Sequence, residues 1–392
     1  MPLPLYLLAM AVFAMGTSEF MLAGLLPDIA SDFDVTVGTA GVLTSAFAIG
    51  MIVGAPLVVA LARDWPRRPA LLGFVLVFAA THALGAVTTS FPVLFATRVV
   101  AALANAGFLA VALTAAAGLV SPDRKGRALA VLLSGTTVAT IAGVPGGTVL
   151  GTALGWRATF WAVAALCLPA ALGILKGIPA GRGEDEATGR PALRAELAQL
   201  ARPRLLLVML LGALVNAATF ASLTFLAPVV TDSAGLGELW ISVALVLFGI
   251  GSFVGVTVAG RLSDRSPGPI IAVGGPVLLI GWPALAMLAD EPVALFILVF
   301  VQGALSFALG STLITRVLYE ADRAPTMAGS YATAALNVGA AAGPVVAAVT
   351  LGAEVGVLGP LWASGLLVAV ALLIAFPLLT VITADRSTEV PR

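Results

Sequence analysis

A carboxylate within an apolar stretch is the first residue of this chain that could do chemistry. Glu19 lies in AVFAMGTSEFMLAGLLPDI, among side chains suited to hydrocarbon. Ionisable groups are costly there and usually functional, so Glu19 is read as a site for a proton or for a cationic or polar substrate. The structural alternative is a hydrogen bond to Thr17, Ser18 or a neighbouring helix. Arg98, in FATRVVAALANAG, is the second such residue. It lies near enough to the end of its apolar run to snorkel outward. Alternatively it faces inward, as a cation that couples to a nearby carboxylate. A direct salt bridge to Glu19 is the least favoured arrangement.

Other residues suggest a cavity and moving parts. Asn105, Asn216, Gln302 and Asn337 offer polar contacts in apolar surroundings, and Phe20, Phe47, Phe108, Phe220 and Phe307 offer aromatic walls. Arg63, Asp64, Arg67 and Arg68 follow one apolar run, and Asp264 and Arg265 follow another. Charges at helix ends interact with the helix dipole, so these groups can form latches that hold one state and break in another. Ordinary cytoplasmic-side charge is the alternative, above all for Arg67 and Arg68. Gly135, Gly143, Gly146, Gly147, Gly151 and Gly155, with Pro145 among them, read as a small-residue face with a proline break. Such a face allows close helix approach, and the proline removes a backbone donor.

Several chemistries are absent from the sequence. No Gly-Lys-Ser/Thr phosphate loop occurs, and there is no His-Glu-x-x-His. The single histidine, His82, and the single cysteine, Cys167, are read as packing residues. No metal or other cofactor is expected.

The elements that must position these residues are membrane helices. The chain is 60% hydrophobic and only 10% charged, against about 25% charged in soluble domains. Its apolar residues fall into blocks near 5–26, 40–61, 70–88, 92–116, 128–152, 158–175, 205–229, 240–260, 270–288, 292–315, 328–350 and 358–382. About twenty residues of helix cross the hydrocarbon core. The expected fold is therefore all-α and polytopic, with twelve transmembrane helices.

Charge orients them. Lys and Arg concentrate in alternate loops and in the tail, leaving Arg157 on the other side and Arg98 within a span. By the positive-inside tendency both termini lie in the cytoplasm, and the protein belongs in the inner (cytoplasmic) membrane. The basic loops face anionic lipid, so no nucleic-acid partner is implied. The longest polar stretch divides the chain into a six-helix half at 1–176, a cytoplasmic linker at 177–204, a second six-helix half at 205–382 and a tail at 383–392. Leu193, Leu197 and Leu200 suggest a short amphipathic helix within the linker. Asp64 and Asp264 repeat after corresponding spans, as do Gly143–Gly146 and Gly343-Pro344, which suits an alternating-access carrier.

Four segments resemble the major facilitator superfamily, specifically its twelve-span drug:proton antiporters near the arabinose- and chloramphenicol-efflux proteins. TSEFMLAGLLPDIASDF is similar to their first-span signature, and FATRVVAALANAG aligns Arg98 with their fourth-span arginine. AGVPGGTVLGTALGWRATFW resembles the fifth-span antiporter motif, and GRLSDR the inner-loop motif. ALARDWPRRP departs from that loop pattern, with Arg63-Asp64 in reversed order and Pro66 in place of glycine. Ala101 and Ala102 replace the usual Gln-Gly after the arginine.

The resemblance implies secondary transport by a non-enzyme, with two halves around a central site and the proton gradient as the driving force. It also implies a role for Arg98 in proton coupling. The chain looks most like the chloramphenicol-resistance exporters of actinomycetes. Its expected partners are a small amphipathic drug, protons and lipid, with no obligate protein partner. A sugar or nucleoside exporter shares the architecture, whereas a channel or membrane receptor fits the motifs less well.

Overall fold

The computed structural model describes residues 1–21, 25–35, 37–61, 65–178, 192–237, 239–262, 267–351 and 356–378, and over them the chain is helical throughout. Before the linker lie α1 (Leu3–Met21), α2 (Leu26–Asp32), α3 (Val37–Leu61), α4 (Arg67–Val87), α5 (Phe91–Gly118), α6 (Lys125–Val138), α7 (Val144–Leu154) and α8 (Trp156–Gly177). The linker contributes α9 (Leu193–Leu197). After it come α10 (Pro203–Thr224), α11 (Leu239–Leu262), α12 (Gly275–Met287), α13 (Pro292–Glu320), α14 (Ala328–Leu351) and α15 (Gly359–Ala375).

Among the described residues, 10 helices are long and apolar enough to cross a membrane, and α1 and α3 carry shorter apolar stretches. Leu76, Val77 and Leu84 of α4, and Leu366 and Leu373 of α15, point out of the bundle. An apolar exterior of this kind is what lipid solvates and water does not.

Prolines set many of the boundaries. α5, α10, α13 and α15 each have a proline in the first two positions, where the missing N–H removes no intrahelical bond. Proline also explains two of the three irregular turns. A π-helical turn at Ala139–Gly143 precedes Pro145, and another at Ile270–Gly274 precedes Pro276. A third, Val229–Ser233, follows Pro228. A ring without an N–H cannot continue the regular ladder, and the wider turn absorbs the fault. The expected break in the fifth apolar block thus falls just before its proline.

Two expectations shift. The tenth apolar block extends beyond 315 to Glu320, and Arg316, expected in a loop, is buried in the last turns of α13, 3.9 Å from Glu320. The linker segment turns only two of its three leucines to the bundle: Leu193 and Leu200 pack against the core, Leu197 is exposed, and Glu196 is buried. The Glu196 carboxylate accepts the backbone N–H groups of Thr326 and Met327, each at 3.1 Å, and the Thr326 hydroxyl. Tyr331 donates its hydroxyl to the Glu196 carbonyl at 2.8 Å. A linker residue therefore satisfies the open N–H groups at the start of α14, where α14 carries no carboxylate in its first turn. Replacing Glu196 with Ala removes these bonds, leaving the Met327 N–H only the Ala324 carbonyl at 3.0 Å. The expected cost is about 2 kcal/mol, read as a lower apparent melting temperature in detergent.

The helices before the linker pack mainly on one another, as do those after it. The two groups meet where α11 and α13 pack on α6, and where α14 packs on α3 and α5. The closest approaches lie toward the ends that bear basic loops. Gly260 of α11 abuts Ala130 and the Gly126 backbone of α6, and Gly329 of α14 lies directly on the Ala110 backbone of α5.

Candidate functional site

Between the two groups of helices lies a cavity with about 920 Å³ of empty space, its open mouth included. The walls come from α1, α3, α5 and α6 on one side and from α10, α11, α13 and α14 on the other. Glu19 is a wall residue, partly exposed to the space, and it is the one acidic side chain among the lining residues. Asn105, Asn216, Phe220, Phe307 and Asn337 also line it, as the sequence suggested.

Polar groups face Glu19 from several helices. Asn216 donates its amide to the Leu336 carbonyl at 2.7 Å, and Asn337 donates to the Thr333 carbonyl at 2.9 Å. In each case the side-chain carbonyl is left as an acceptor for a ligand. The Ser306 hydroxyl on the cavity wall is buried with no partner. Thr136, Thr219 and Ser311 complete the polar lining. Short hydroxyl side chains in apolar runs look like packing in the sequence, and they were missed for that reason.

Three candidates lie elsewhere. Phe108 is fully buried in the core. Gln302 is also fully buried, donates to the Leu278 carbonyl at 3.1 Å and lines a small side pocket with Trp282 and Phe248. Phe47 is buried beneath the Arg98 guanidinium, 4.5 Å from carbon to ring centroid. The Phe20 side chain lies outside the described residues.

Arg98 itself is buried and does not snorkel. Its Nη1 donates to Ser18 Oγ at 2.7 Å, and its Nη2 to the Ser18 carbonyl at 3.3 Å. Ser18 Oγ is 2.6 Å from His82 Nε2. Among the described residues no ion pair joins Arg98 to Glu19. His82 is therefore more than packing, which corrects the sequence reading. The signal lay in spacing: His82 and Arg98 are each about two helical turns from the corner at Thr88–Ser90, so the antiparallel pair α4–α5 brings them level.

The proposed moving parts are distributed as follows. Gly135, Gly143, Gly147 and Gly151 pack against α1 and Leu25, with Gly143 against Thr17 and Gly147 against Met21. Gly146 and Gly155 stand off that face with open space around them. Gly155 instead makes the corner into α8 at φ 83°, a conformation that suits glycine. Just beyond that corner, Arg157 pairs with Asp32 and donates to the Thr88 carbonyl at 3.1 Å, while Trp156 donates to Asp32 at 3.0 Å. Pro145 follows the π turn, as described. Arg67 and Arg68 open α4 half-buried, and the Arg67 guanidinium reaches Gly118 at the end of α5. Arg63, Asp64, Asp264 and Arg265 lie outside the described residues.

A bundle of apolar helices in two groups around a central cavity is a transporter architecture, and similarity to known proteins defines the class. Residues 8–290 match the model of the Major Facilitator Superfamily. The chain belongs to that superfamily, and it is a secondary transporter and a multi-pass membrane protein rather than an enzyme. It is 80% identical to the chloramphenicol resistance protein of Streptomyces lividans over 392 residues, the full length of both chains. It is 33% identical to the inner membrane transport protein YdhP of Escherichia coli K12, over 90% of each. Two solved structures share the fold at low identity. The transporter FucP, in its outward conformation, is 17% identical with a TM-score of 0.78 over 97% of this chain and 99% of that one. The human organic anion transporter MFSD10 is 19% identical with a TM-score of 0.71, over 95% and 97%.

Proposed function

We propose that this chain is a twelve-span, proton-driven exporter of a small amphipathic drug, with chloramphenicol as its substrate and both termini in the cytoplasm. The observation that carries the reading is the Glu19 carboxylate, the one acidic side chain among the described residues that line a cavity between two groups of helices. The 80% identity to a chloramphenicol resistance protein supports the choice of substrate. The first half is 1–176, the linker 177–204, the second half 205–382 and the tail 383–392. The exporter needs no cofactor and no obligate protein partner; its partners are drug, protons and lipid.

Chloramphenicol is neutral, with hydroxyl and amide N–H donors and an aromatic ring. An ionised Glu19 accepts a hydrogen bond from such a donor, and Asn105, Asn216 and Asn337 supply further polar contacts. Phe220 and Phe307 pack on the ring. Protonation removes the carboxylate's acceptor strength, so proton and drug exclude each other at one group. Exchange follows: the drug-loaded carrier opens outward, gives up drug as a proton binds, and returns. Each ligand biases the cycle only through unequal affinity for the two states.

Purified protein in sealed liposomes tests this directly. Radiolabelled chloramphenicol is expected to accumulate only against an imposed proton gradient. Gradient-independent movement would remove the coupling. No movement by folded protein would redirect the search to sugars and nucleosides, and conductance independent of a counter-moving proton would indicate a channel.

A further inference from the structure

Arg98 is a buried cation, and what holds it is a chain of neutral groups whose direction follows from their chemistry. A guanidinium only donates, so Ser18 Oγ accepts from Arg98 Nη1 at 2.7 Å. The Phe78 carbonyl only accepts, so His82 Nδ1 carries a proton and donates to it at 2.7 Å. His82 Nε2 is then left to accept the Ser18 hydroxyl proton at 2.6 Å, with Arg98 Nη1 3.4 Å away. A proton on Nε2 would face the Ser18 hydroxyl and the guanidinium, so the arrangement holds only with that nitrogen bare. The ring cannot turn aside, because it lies between Phe78 at 4.2 Å and Phe160 at 5.5 Å, centroid to centroid.

The members come from different helices: Ser18 from α1, His82 from α4, Arg98 from α5 and Phe160 from α8. The charged or titratable groups acting on this cluster are Arg98 and Glu19. Ser18 directly precedes Glu19. Whatever fixes the Ser18 oxygen therefore decides whether the guanidinium stays on the serine or swings to the neighbouring carboxylate. We propose that His82 is a positioning residue of the coupling site. By taking the Ser18 hydroxyl proton, it commits the serine lone pairs to Arg98 and keeps the guanidinium off Glu19. The carboxylate is then open to proton and drug in turn. This rests on the reading of Glu19 as the coupling carboxylate.

The test compares His82→Phe, which keeps the ring between Phe78 and Phe160 but has no acceptor, with His82→Gln, which restores an acceptor near Nε2. Two chloramphenicol fluxes are measured in liposomes: movement driven by an imposed pH gradient, and drug-for-drug exchange at equal pH, which requires no proton binding. His82→Phe is expected to slow driven movement about tenfold while exchange changes less than about twofold, and His82→Gln to recover most of the driven rate. Driven movement at the wild-type rate in His82→Phe overturns the proposal. An equal fall in both fluxes without rescue by Gln also overturns it, since that is what a purely structural residue gives. Absence of gradient dependence in the wild type overturns the coupling reading itself and is distinguished by that control. If His82→Phe is not recovered from membranes, Ser18→Ala breaks the same link from α1 and carries the same two expectations.

Discussion

Glu19→Gln is expected to reduce gradient-driven chloramphenicol movement about a hundredfold, the upper range of coupling between two ligands. Glutamine fills nearly the same volume and still offers a carbonyl acceptor, so the cavity keeps its shape and the drug keeps a partner. What it lacks is a proton to exchange. Equilibrium binding separates the two roles. In the wild type, drug binding weakens as pH falls, because protonation removes the acceptor. In Glu19→Gln, binding becomes flat with pH. A variant that still drives accumulation would move the coupling site elsewhere, whereas one that loses binding at every pH would make Glu19 a substrate contact only.

Gly329→Val carries the second large effect. A Cβ at Gly329 overlaps the Ala110 backbone carbonyl, and a backbone cannot swing away as a flexible side chain can. Gly329 also lies two residues beyond Met327, whose N–H is held by Glu196. Overpacking here costs about 1–3 kcal/mol, or about 5- to 150-fold in the population of the state with these ends closed. Because the clash lies between groups rather than within one, the variant is expected to fold, bind drug and fail to transport. A cysteine at Leu109, in a Cys167→Ala background, reports the change. It should react with an impermeant thiol reagent from the basic-loop side far faster in Gly329→Val than without it. Wild-type transport by this variant would show that the closure is not part of the cycle.

The bundle was legible because its driving force is compositional. Lipid demands long self-satisfied helices, and such runs of apolar residues are visible in the sequence. Glu19 was legible for the same reason, since a lone acid in an apolar run needs an explanation. The cavity was only half legible. Asn105, Asn216 and Asn337 line it, whereas Gln302, of similar chemistry, turns to a carbonyl inside its own group of helices. Which way an amide faces depends on helix rotation, and a nearly uniform apolar helix has too weak a pattern to reveal it. His82 and Ser18 were missed because their meaning lies in their contact. The linker glutamate was missed because a carboxylate beside leucines reads as the wet face of a surface helix, when it is the partner of α14's open N–H groups.

The π turn at Ala139–Gly143 has a mechanical consequence. The segment before it, α6, packs on α11 and α13 of the other group and equally on α1 of its own. The segment after it, α7, packs on α1 and α8 of its own. One continuous stretch of chain therefore touches both groups at one end and mainly its own at the other. The irregular turn is the joint between them, where the stretch can bend without breaking a regular ladder on either side. A movement that frees α6 from α11 therefore reaches α1 directly, through the seat of Gly135 on the Ala9 backbone, and α1 is the helix that carries Glu19.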